Sequence, residues 1–133
     1  MPEIPPFLPF FIGAFLVAVL RGWPRTVVML GVPLLGMANL YVHREGLELT
    51  ATLLDYQLAI TRIDDLSLIF GYAFHVAAFL GMLFALHIRL GLRHSTAMVH
   101  AGSGIGAVFA GDLATLYVFW ELITVSAALH IWF

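Results

Sequence analysis

Five stretches of mostly apolar residues, separated by short charged or turn-forming segments, organise this chain: 4–20, 26–42, 66–88, 96–110 and 113–133. A bilayer span takes roughly 20 predominantly apolar residues, so each stretch predicts a membrane-crossing helix. The third has 23 residues and no Asp, Glu, Lys or Arg, and would reach about 34 Å as a helix. The fourth, with 15 residues, reaches only about 22 Å. It must therefore extend past its ends, sit where the bilayer thins, or be shielded by neighbours. The first stretch lacks the positive leading region of a signal peptide and opens instead on Pro2, Pro5, Pro6 and Pro9, which predicts a helix of the mature protein. Between the first two stretches, Arg21-Gly-Trp-Pro-Arg25 reads as a tight interfacial turn.

The connector from His43 to Asp65 breaks the pattern. Leu47, Leu49, Ala51 and Leu53 alternate with Glu48, Thr50 and Thr52, and Tyr56, Leu58 and Ile60 alternate with Gln57, Ala59 and Thr61, with Leu54-Asp55 between. A period of two predicts a small β-hairpin on the membrane surface, covering helix ends. The expected fold class is all-α integral membrane: one polytopic domain over residues 1–133, with five transmembrane helices and an extracytoplasmic hairpin between the second and third.

Composition sharpens this picture. The chain is 62% hydrophobic and only 11% charged, with a mean hydropathy of +0.99, whereas a soluble domain carries about a quarter charged residues. The solvent of this surface is lipid. A net charge of −2 gives no support for nucleic-acid binding, which needs a basic face. The absence of cysteine excludes disulfides and thiolate metal sites. Arg21, Arg25, Arg89 and Arg93 fall on one side of the expected bundle. Glu3, Glu45, Glu48, Asp55, Asp64, Asp65 and Asp112 fall on the other, with Arg44 and Arg62. The arginine bias of short loops makes the first side cytoplasmic, with the amino terminus outside and the carboxyl terminus inside.

Glu121 is the one carboxylate inside a predicted span, about 12 Å from the outer end of the fifth helix. A carboxylate at that depth costs a few kcal/mol on insertion scales and marks a functional site by default. Helical spacing aligns Tyr117, Thr124 and Ala128 with it, placing a hydroxyl on either side. Of six histidines, His75, His100 and His130 fall inside spans, and His130 is a candidate member of a proton pathway. His100 and His130 lie at matching levels, the arrangement a bis-histidine haem would need. Gly102 and Gly106, four residues apart in an apolar helix, predict close helix packing rather than a phosphate loop. Asp64, Asp65 and Asp112 stand where carboxylates cap helices. No metal-ligand pattern is present, and no cofactor is expected.

Two stretches carry a resemblance. Asp65-Leu-Ser-Leu-Ile-Phe70 opens a span, and Ala107-Val-Phe-Ala-Gly-Asp-Leu-Ala-Thr-Leu-Tyr-Val-Phe-Trp-Glu-Leu-Ile-Thr124 delivers a glutamate to the middle of another. Together they resemble the antiporter-like membrane subunits of Mrp-type cation/proton antiporters, the D-type member above all, and those of complex I. The resemblance is strong from about Asp64 onward and weaker before it. It implies a multi-pass protein of the cell inner membrane in which Glu121 serves proton movement; Tyr117, Thr124 and His130 join the expected pathway from helical spacing and histidine chemistry, not from the resemblance. Family members have a dozen or more helices, with lysines on later ones that pair with the fifth-helix glutamate. This chain has no lysine, so the resemblance implies partner membrane subunits that supply further helices and a lysine counter-charge. The competing expectations are a non-conducting structural subunit of a larger energy-converting or photosynthetic complex, and a haem-binding anchor using His100 and His130.

Overall fold

The computed structural model describes residues 4–132; Pro2, Glu3 and Phe133 lie outside the described residues. Five helices and a hairpin follow in order: α1 Leu8–Val19, α2 Trp23–Val42, β1 Leu47–Leu53, β2 Tyr56–Ile63, α3 Asp65–Phe84, α4 Gly91–Phe109 and α5 Leu113–Trp132. Three of them, α2, α3 and α5, are long and apolar enough to cross a membrane. With 12 residues, α1 is shorter. The 19 residues of α4 include His94, Ser95, Thr96, His100 and Ser103, which dilute its apolar character.

That dilution follows from position. α4 is the central helix, packed on α1, α3 and α5, while α2 packs on α1 and α3. A helix surrounded by protein can carry polar groups if each finds a partner. Ser95 donates to the Ala14 carbonyl at 2.9 Å, Thr96 to Arg93 at 2.9 Å and Ser103 to Val99 at 2.7 Å. His94 donates from Nε2 to the Ile88 carbonyl at 2.7 Å. These bonds explain why α4 starts at Gly91, five residues before the apolar run that predicted it, and they give it about 28 Å of length. At the opposite boundary α3 ends at Phe84 rather than 88, where His87 donates from Nδ1 to the freed Phe84 carbonyl at 3.0 Å.

Glycines let α4 approach its neighbours. A β-carbon on Gly102 would fall 2.8 Å from that of Phe10 in α1, and one on Gly106 would collide with the Phe119 ring of α5. Phe10, Met98, Ile105 and Phe109 are fully buried around this seam. Gly36 of α2 presents bare backbone to the ring of His75. That histidine is completely buried, donates from Nδ1 to the Gly71 carbonyl at 2.7 Å and packs edge-on against Phe10 at 5.3 Å between centroids.

The hairpin is antiparallel, with Leu54 and Asp55 as its two-residue turn, both at positive φ. Its register slips between Leu49 and Thr50, leaving Ile60 as the extra residue of a bulge. Past the bulge the inward alternation changes phase, so Thr61 and Ile63 are the buried positions of β2, not the continuation of the Tyr56, Leu58, Ile60 series. Beside the bulge, Ala59 receives a bond from the Gly111 amide at 2.9 Å and donates its own amide to Asp112 Oδ2. The hairpin is thus stapled to the α4–α5 turn.

Charge separates the two ends. Asp64 caps α3 in a reciprocal capping box with Ser67, and Asp112 caps α5 through the Thr115 amide at 2.7 Å. At the far end Arg25 ties two connections together, donating from Nε to Leu20 and from Nη1 to Arg89, each at 2.8 Å.

Candidate functional site

Apart from the surface carboxylates, Glu121 is the acid that demands an account. It is the ninth of 20 residues in α5, near the midpoint of a helix about 30 Å long. Packing orients this helix. Thr115, Phe119 and Ser126 are its buried residues, turned toward α4. Tyr117, Trp120, Glu121, Thr124 and Ala128 lie on exposed positions. The carboxylate therefore faces away from the bundle, in a shallow depression of about 320 Å³ shared with Leu113, Leu116, Tyr117 and Trp120. Among the described residues the one ion pair is Arg62 with Asp64, 4.0 Å apart, and no cation stands beside Glu121.

The two hydroxyls that helical spacing aligns with Glu121 share its face. Thr124 donates to the Trp120 carbonyl at 3.2 Å, so its proton is held within the helix. Tyr117 is 65% exposed. The surrounding face is apolar, with Val118, Val125 and Leu129 about half exposed. A carboxylate on such a face is costly unless a further helix or water meets it.

His130 belongs elsewhere. Its Nδ1 lies 3.2 Å from Thr96 Oγ1, and because the threonine proton goes to Arg93, the imidazole is the donor. One turn along the same seam, His100 Nδ1 lies 3.2 Å from Ser126 Oγ, whose proton goes to Ile123 at 3.1 Å. The structure therefore does not bring His130 to Glu121. It also corrects the expectation of a level histidine pair: Thr96 stands opposite His130 and Ser126 opposite His100. The two imidazoles are offset by a helical turn, about 6 Å, which removes the geometric basis of the haem reading. Sequence reasoning passed over Thr96 and Ser126; their signal was the four-residue spacing from His100 and His130 on two adjacent apolar helices.

The polar anchors of this region lie at the hairpin end. The Asp112 carboxyl is held below the usual carboxylate range chiefly by the Thr115 amide, helped by the Ala59 amide. Asp64 is lowered likewise, first by the Ser67 amide and then by its hydroxyl. Both are helix caps and stay ionised at neutral pH. Among the described residues no group of three histidines or carboxylates could hold a metal ion. Comparison with family models, with curated proteins and with solved structures returns no match to this chain.

Proposed function

We propose that the chain is a multi-pass subunit of an antiporter-like, cation- or proton-translocating membrane assembly, similar to the antiporter-like subunits of Mrp-type antiporters or of complex I. All five helices cross the bilayer, in an inner membrane, with the amino terminus outside. One observation carries the reading: a carboxylate at the midpoint of an apolar helix, on a face that no other helix among the described residues covers. Water cannot be assumed at that depth, and the cost of Glu121 is relieved when a partner's helices bring a lysine to it. Glu121 is then the protonatable site, with Tyr117 and Thr124 beside it on the partner-facing surface. His130 sits on the inner face of α5 as a second-line candidate, reached from the cytoplasmic side.

The test is Glu121→Gln in the assembled complex, reconstituted into vesicles and followed with a pH-sensitive dye. Coupled flux falls at least about tenfold while the partner chains still co-purify. Undiminished flux with assembly intact overturns the mechanism and leaves the second reading, a subunit that contributes packing surface alone. That alternative is favoured by the absence of lysine from these 133 residues and by the lack of any partner for Glu121 within the described fold.

A further inference from the structure

At the arginine-rich end, the connections between α1 and α2 and between α3 and α4 enclose a concavity of about 600 Å³. Arg21, Arg25 and Arg89 line it, and no Asp or Glu does. Two helices begin here. α2 starts after Gly22 and α4 after Leu90, neither with a side-chain cap, and both of these residues line the same concavity. The contrast with the hairpin end is direct, because α3 and α5 begin there under the carboxylates of Asp64 and Asp112. An anion in the concavity would face three guanidinium groups and the positive ends of two helices.

We infer that this concavity binds the phosphodiester headgroup of an anionic phospholipid. The phosphate chemistry alone would suit inorganic phosphate as well. The lipid is favoured by the rest of the lining, in which Met29, Leu86 and Ile88 provide apolar wall beside the cations, as a glycerol backbone and its acyl chains require. Trp23, 77% exposed on the same turn, marks the interfacial level at which lipid phosphates lie. Arg25 is fixed by its bonds to Leu20 and Arg89, so one of the three cations is positioned before the headgroup arrives. The inference rests on membrane insertion and is independent of ion transport by Glu121.

The test reconstitutes the full chain into phosphatidylcholine bilayers containing a minor fraction of phosphatidylglycerol, and counts retained lipids by native mass spectrometry. Wild type retains phosphatidylglycerol in preference. The R21Q/R89Q variant, which leaves the Arg25 anchor intact, loses about tenfold or more of that preference. R93Q removes a cation from the same end but outside the lining, and stays within about twofold of wild type. Loss in R93Q equal to that in R21Q/R89Q, or displacement of the lipid by millimolar inorganic phosphate, overturns the assignment. Stable insertion without any lipid preference overturns this inference alone. Failure to float with vesicles overturns it together with the membrane reading.

Discussion

Asp112 shows how much one short side chain does at a junction. It closes the first turn of α5 on the Thr115 amide and reaches the Ala59 amide of the hairpin, and these donors hold its carboxyl below the usual range. A carboxyl whose folded pKa is depressed contributes stability above its unfolded pKa, and that contribution disappears as pH falls through the folded value. Protection of the Thr115 and Ser67 amides, corrected for intrinsic exchange, is therefore expected to hold at pH 5 and to fall below about pH 4. Asp112→Ala should remove the pH dependence at Thr115 and leave it at Ser67, where Asp64 is the acceptor. The capping role was legible, because a carboxylate just before an apolar run has few other uses. The bond to Ala59 was not, since it spans 53 positions and depends on a bulge that hydropathy does not encode.

At the scale of elements, α4 illustrates both the reach and the limit of pattern reading. Five helices and the hairpin could be predicted because apolar runs and a period of two leave little alternative. The start of α4 could not, because Arg93, His94 and Ser95 look like a connector until Ala14 and Ile88 accept bonds from two of them. The glycines of α4 also differ in consequence. Gly106 touches the Phe119 ring, whereas a β-carbon on Gly104 meets nothing within 4 Å. Gly106→Ala is expected to cost about 1–3 kcal/mol by overpacking, while Gly104→Ala should be neutral or gain up to about 1 kcal/mol in helix propensity. Unfolding in mixed detergent and dodecyl sulfate micelles would measure both. Equal effects would mean that α5 does not seat on α4 through Phe119.

For the whole molecule, the separation of charge is the property that sequence displayed most openly. The expected cytoplasmic arginines, Arg21, Arg25, Arg89 and Arg93, gather at the end opposite the hairpin. The described surface acids, together with Arg44 and Arg62, gather at the other. Since the chain has no cysteine, a single introduced thiol reports sidedness without background. Leu54→Cys, in the hairpin turn, should react with a membrane-impermeant maleimide from outside intact cells. His87→Cys, exposed in the α3–α4 connection, should react after the membrane is opened. The reverse pattern would invert the topology and place the arginines outside. The candidate site was less legible than the order of the elements. Glu121 announced itself by its cost, but the direction it faces is set by α5 docking through Thr115, Phe119 and Ser126, a choice among nearly equivalent greasy faces that the residues of α5 do not make alone.

The stapled hairpin has a consequence for depth. Val118, Val125, Leu129 and Ile131 give α5 exposed apolar surface over much of its length, so in the proposed bilayer its length alone would not set its height. There the bond between Asp112 and the Ala59 amide would act as a doorstop at the water boundary. In the proposed membrane placement, the depth of Glu121, about two and a half turns along α5 from Asp112, would then be set by an acid at the surface.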